Sequence, residues 1–187
     1  MIVRKTPAEI EKMAAAGDVV ARTLRLLERL VRPGVTTAEL DAAAEKFIRS
    51  QGGVPTFKGY RGFPGSICAS PNSMIVHGIP GPYALERGDL ISLDVGVTLD
   101  GWVADAARSF SVGPAGALAH NLLEGTRESL FAAVEQCVLQ FLGEHANYAN
   151  LFHRRGGELV ARSSDHHDLR LYATDLVEGF AHMIRLP

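Results

Sequence analysis

Two segments near the start of the chain carry apolar residues at helical intervals. Ile10, Met13, Gly17, Val20, Leu24, Leu27 and Val31 step by three and four, which predicts one helix with a single inward stripe. Its beginning is written in "TPAEIEKM": Thr6 can cap, Pro7 suits the first helical position and Glu9 completes a capping box. Pro33-Gly34 ends it. "TTAELDAAAEKFI" repeats the device, with Thr36 and Glu39 as the box, Leu40, Ala44, Phe47 and Ile48 facing inward, and Gly52-Gly53 as the stop.

From Val54 the pattern shortens to β-like runs punctuated by Gly and Pro. "SICAS" and "SMIVHGIP" read as strands with Pro71-Asn72 between them as turn material, and "GPYALERGD" reads as a loop. "LISLDVGV" is a strand rich in β-branched residues. Asp100-Gly101 then supplies the strongest short hairpin signal in the chain. After the break "GPAGA" at 113–117, "LAHNLLEGTRESLFAAVEQCV" returns to helical spacing. Two helices, antiparallel strands and a further helix predict an α+β layer. From Val138 neither period is sustained, and five of the seven histidines gather there: His145, His153, His166, His167 and His182. The predicted division is therefore residues 1–137 and an irregular tail, 138–187, without clear strand, hairpin or motif.

Composition narrows the setting. An apolar fraction of 47% and a charged fraction of 21% over 187 residues suit a soluble globular chain with one sizeable core. A net charge of −2 gives no global reason to expect nucleic acid or an anionic membrane as partner. Two cysteines, Cys68 and Cys137, make neither a disulfide framework nor a zinc motif. With no signal-peptide core at the N-terminus and no run long enough to span a bilayer, the expected location is cytoplasmic.

The candidate chemistry lies in the hairpin "LDVGVTLDGWVADAARSF". Aspartate is depleted in strands, and a partly buried carboxylate is costly unless a cation faces it, yet acids stand at Asp94 and Asp105. If Asp100-Gly101 are the two central turn residues, Leu99 faces Trp102, Gly96 faces Asp105 and Ala107 faces Asp94. Alternation then puts Asp94, Gly96 and Asp105 on one face, the acids being diagonal neighbours with Cβ atoms roughly 7–8 Å apart. Gly96 leaves space between them. The pair suits convergence on divalent cations; it would serve equally as a solvated face, and a turn one residue longer would flip it. His77 sits where a strand ends, as a structural hydrogen-bonding residue or a catalytic one. Phe57, Tyr60, Phe63 and Cys68 in "FKGYRGFPGSIC" can line an apolar pocket or pack as ordinary loop residues. "SSDHHD" at 163–168 reads as a solvated loop.

With these residues in hand, the stretch from Ile10 to Cys137 resembles the type I methionine aminopeptidases of the pita-bread metallopeptidase fold. The likeness rests on "RPGVTTAELD", "FKGYRGFPGSICASPNSMIVHGIP" and "GDLISLDVGVTLDGWVADAARSFSVG", above all on VHGIP followed by a D-x10-D hairpin. It implies the N-terminal half of that fold, an antiparallel sheet with helices on one face. It also implies two divalent ions (Co, Mn, Fe or Zn), with Asp94 a ligand to one and Asp105 bridging both, that activate a water for attack on the peptide carbonyl. His77 would be the catalytic histidine beside the scissile peptide, and Tyr60, Phe63, Cys68 and Phe57 would form the pocket for an N-terminal methionine. Phe57 stands where many relatives have cysteine and Phe63 where many have tyrosine, and both keep an apolar wall. Implied partners are nascent polypeptide N-termini with a small second residue, and the ribosome.

The likeness ends after Cys137. The family's "GHGIG"-like segment, its "HE.P" segment and its two later glutamates have no counterpart in residues 138–187; Glu178 and His182 give only a faint echo and no role is carried onto them. Two functional readings follow. One is a methionyl aminopeptidase completed by unorthodox ligands from the tail. The other is a catalytically dead fragment or non-enzymatic binding relative with a partial metal site, produced by a shifted frame or aberrant gene end. Proline-specific peptidases share the scaffold, but VHGIP and the short N-terminus favour the methionine branch.

Overall fold

In a computed structural model of the chain, the structure describes residues 5–144, 152–155, 158–162 and 168–170. Helix α1 spans Pro7–Leu30 and α2 spans Thr37–Ser50. Both open on the predicted capping boxes: Thr6 and Thr36 each accept from the amide three residues on, while Glu9 and Glu39 return to the cap amide. Removing the cap oxygen in Thr36→Ala leaves an orphan amide, and urea unfolding should show a loss of about 1 kcal/mol. The buried stripe of α1 is Ala16, Val19, Val20, Thr23, Leu24 and Leu27, whereas Ile10, Met13 and Gly17 are half-buried. On α2, Leu40, Ala44 and Ile48 are buried; Phe47 stays half-buried beneath the Arg22 guanidinium.

These helices cover one face of a four-stranded antiparallel sheet. Its centre is β3, Leu90–Leu99, which pairs along its whole length with β4, Trp102–Ser111. The other side of β3 is shared end to end by β1, Val54–Pro55, and β2, Ile67–Pro71. Ile91, Leu93, Val95 and Val97 of β3 point into the core with Ile67, Ala69 and Phe110, against Leu24, Leu27, Leu40 and Ile48. The alternate residues, Ser92, Asp94, Gly96 and Thr98, occupy the opposite face.

One predicted strand is absent. "SMIVHGIP" is a loop, with Met74, Ile75, Val76 and Ile79 exposed. The short apolar run Met74-Ile75-Val76 imitated a strand there, but left-handed residues bend the backbone before and after that run, Asn72 at φ 54° and His77 at φ 58°, which breaks the pleat. Gly78 returns to the sheet: its amide donates to Ser70 Oγ at 3.0 Å and its carbonyl accepts from Ala69 N at 2.9 Å.

Helix α3, Ala117–Glu144, begins where expected and runs past the predicted break at residue 138. Further on, Phe152–Arg155, Glu158–Arg162 and Asp168–Arg170 are strands β5, β6 and β7 of a second antiparallel sheet. The tail was expected to be irregular and without strands; short strands of this kind lack the alternation that would announce them. His145, His166, His167, Glu178 and His182 lie outside the described residues, as does most of "SSDHHD".

Candidate metal centre

The hairpin turn has Asp100 at φ 49° and Gly101 at φ 81°, the two consecutive positive values of a type I′ turn, which matches the right-handed twist of the flanking strands. It fixes the register: Gly96 opposes Asp105, and Asp94 opposes Ala107. The acids therefore share the face turned away from the helices. Asp94 is half-buried and Asp105 exposed, with Asp105 within hydrogen-bonding reach of Asp94.

This convergence has an electrostatic cost. Burial first, and then the charge of Asp105 and a proton shared with it, push Asp94 up from 3.8 to about 6, while His77 pulls the other way. Two carboxylates this close cannot both carry full charge without a neutralising cation. Asp94 Oδ1 is buried and meets no hydrogen-bond donor, an arrangement that a protein seldom retains without a use. Oxygen donors with one orphaned atom fit a divalent cation.

Around the acids stand several of the residues singled out from sequence. Cys68 lies directly opposite Asp94 on β2 and is buried. Burial, followed by Asp94, Asp105 and Asp41, raises its thiol to about 11, which keeps it protonated at neutral pH. Phe57 alters the expectation for Gly96. The space above that glycine is filled, because a Cβ there would lie 2.6 Å from the Phe57 ring. Thr56 holds this ring by donating its amide to the Gly96 carbonyl at 2.9 Å and sharing a hydroxyl bond with Thr98. His77, exposed at the end of the VHGIP loop, is near enough to influence Asp94. Phe63 is half-buried, whereas Tyr60 is 62% exposed with the Arg61 guanidinium over its ring.

Sequence reasoning missed the residues that aim these groups. Asp41 on α2 accepts from the amides of Ser66 at 2.7 Å and Ile67 at 2.9 Å, starting β2 in the register that presents Cys68. Asn72, Tyr83 and Asp89 form a hydrogen-bonded cluster behind the VHGIP loop. Asn72 was legible as a turn residue, but nothing in the one-dimensional pattern joins it to Asp89. Among the described residues, no group of three or more His, Cys, Asp or Glu is placed to hold an ion, and no helix is long and apolar enough to cross a membrane.

A helix-covered antiparallel sheet with an acid pair on its open face defines a class, the pita-bread fold, of which these residues form the N-terminal half. The chain belongs to metallopeptidase family M24, whose profile matches residues 11–157, beyond the limit of the likeness seen in the sequence. It is 48% identical over 140 residues to a methionine aminopeptidase of Clostridium acetobutylicum, an alignment covering 74% of this chain and 56% of that protein. Against methionine aminopeptidase 1 of Bacillus subtilis the identity is 47% over 136 residues, covering 73% and 55%. The crystal structure of methionine aminopeptidase from Rickettsia prowazekii superimposes with a TM-score of 0.69 at 38% identity, covering 70% of this chain and 53% of that one. The chain thus spans about half the length of the relatives it matches.

Proposed function

We propose that this chain is a methionyl aminopeptidase of the divalent-metal type, acting in the cytoplasm on nascent polypeptide N-termini with a small second residue. The observation that carries the reading is the convergence of Asp94 and Asp105, with Asp94 Oδ1 orphaned, on the open face of a family M24 sheet. In this reading Asp94 and Asp105 hold two ions of the Co, Mn, Fe or Zn series. Such ions supply Lewis acidity and acidify water near neutral pH. His77 contacts the scissile peptide from the loop edge and steadies the developing oxyanion by hydrogen bonding. Phe57, Cys68 and Phe63 give the methionine side chain an apolar wall, and Tyr60 closes on it from its exposed position.

Catalytic metal sites usually draw three or more protein ligands per ion, so turnover requires donors beyond the hairpin. We propose residues 138–187, into which α3 continues, as the place to seek them. The shortage of a third donor among the described residues supports a second reading, a binding relative that keeps a partial metal site and no activity.

One assay separates the two readings. The purified full chain is given a Met-Gly or Met-Ala peptide with Mn, Fe or Co, and free methionine is quantified. Metal-dependent release that a chelator abolishes supports the peptidase. No release with any of the three ions rejects it and leaves the partial site.

A further inference from the structure

The loop between β2 and β3 contains two non-glycine residues in left-handed backbone, Asn72 and His77, and each such residue persists only where its surroundings over-determine it. For Asn72 the surroundings are explicit. Its amide donates to Leu90 O at 2.8 Å, and Leu90 N returns to its side-chain oxygen at 3.1 Å. Its side-chain amide donates to Asp89 Oδ1 at 2.9 Å and to the Tyr83 hydroxyl at 3.3 Å. The other Asp89 oxygen accepts from the Tyr83 hydroxyl at 2.9 Å and from Glu86 N at 2.8 Å. Asp89 is buried, Asn72 and Tyr83 are exposed, and the buried carboxylate draws the three donors of Asn72, Tyr83 and Glu86 together.

This cluster joins the first residue after β2 to the last before β3, and so closes the base of the loop that carries His77. Tyr83 reaches further: its carbonyl accepts from Thr37 N at 3.0 Å, anchoring the far limb to the start of α2. Between these anchors the chain returns to β2 at Met74, whose amide donates to Pro71 O at 3.0 Å, and at Gly78, beneath Met74, whose sulfur would lie 2.6 Å from a Cβ there. Residues 74–77 therefore project from two fixed points, and the second of them adjoins His77.

We infer that Asn72, Tyr83 and Asp89 are positioning residues for His77: their hydrogen-bonded cluster holds the loop so that the imidazole stays in left-handed backbone at the edge of the acid pair. None of the three is among the residues proposed to hold the ions or the methionine side chain. They act on the geometry of a neighbour, and the inference rests on the proposed role of His77 only for its catalytic consequence.

The test reads His77 directly. Its imidazole carbon–proton correlation, assigned by its loss in His77→Gln, is recorded in the full chain and in Tyr83→Phe and Asp89→Asn, with Gly96 and Val95 amides as sheet controls and Mn added as a paramagnetic probe. Tyr83→Phe removes one hydroxyl and no volume of consequence, so it keeps the test informative if Asp89→Asn fails to fold. The expected result is that His77 shifts or narrows in the variants and its Mn broadening weakens, while Gly96 and Val95 stay in place and Gly96 broadens as in the parent. Where methionine release is measurable, kcat falls by about 10- to 100-fold with Mn affinity changed less than about twofold. An unmoved His77 signal in Tyr83→Phe overturns the inference. Failure of Mn to broaden Gly96 in the unsubstituted chain is a different outcome: it defeats the metallopeptidase reading, and the shift of His77 between variants still decides the positioning role.

Discussion

Asp94→Asn should stabilise the metal-free protein and, in the same molecule, abolish tight metal binding. The first effect follows from Asp94 holding its proton up to about 6 when folded, against 3.8 for the free side chain. Between those values the folded state binds more protons than the unfolded one, so stability falls as pH rises through this window and the penalty is complete above it. The shift corresponds to about 1–3 kcal/mol, the lower figure allowing for solvent screening of a half-buried acid. Asparagine carries no such charge. Urea midpoints taken from pH 4 to pH 8 in a chelator should decline for the unsubstituted chain and stay flat for the variant. Calorimetry with Mn should show the reverse order, a loss of about 100-fold or more in affinity, because removing a ligand exceeds the cost of removing a supporting residue. Affinity in the unsubstituted chain should also weaken below pH 6, where the ion competes with the shared proton. A variant that binds Mn as well as the parent would show that the acids are merely solvated.

Gly78→Ala should cost about 2–4 kcal/mol, combining overpacking with the loss of two hydrogen bonds, one to the Ser70 hydroxyl and one from the Ala69 amide. Space, not backbone angle, is the reason. A Cβ at this position would stand 2.1 Å from the Ala69 carbonyl oxygen and 2.8 Å from its carbon, and both are backbone atoms of β2, which its pairing with β3 restrains. The loop must then lift, carrying His77 with it. For a chain of this size the melting temperature should drop by about 5–15 °C. The acid pair belongs to β3 and β4 and is untouched, so Mn affinity in the folded fraction should survive. A variant of unaltered stability would mean that the loop does not dock on β2 through Gly78.

Much of this molecule was legible without coordinates. The capping boxes at Thr6 and Thr36 are contacts between residues three apart, and the helix stripes repeat every three or four. The Asp100-Gly101 turn sets its register by two local dihedral choices, which is why the shared face of Asp94 and Asp105 could be counted outward from it. The misreadings have a common origin. "SMIVHGIP" carries a short apolar run of the kind strands use, yet it forms no strand, and pattern alone cannot supply a partner. Gly96 looked like open space between the acids because the residue that fills it, Phe57, approaches from another part of the chain.

The sequence by itself determined where the two opening helices and the β3–β4 hairpin begin, which faces of that hairpin are apolar, and that two acids share one of its faces, since each of these depends on residues near one another in the chain. Only the tertiary structure decided that Asp94 is left with an orphaned oxygen, that Phe57 covers Gly96, and that Asn72, Tyr83 and Asp89 hold the loop of His77. Those features arise where segments distant in sequence are pressed together by burial of a common core, and the hydrogen bonds and desolvation that result have no signature in any single stretch of residues.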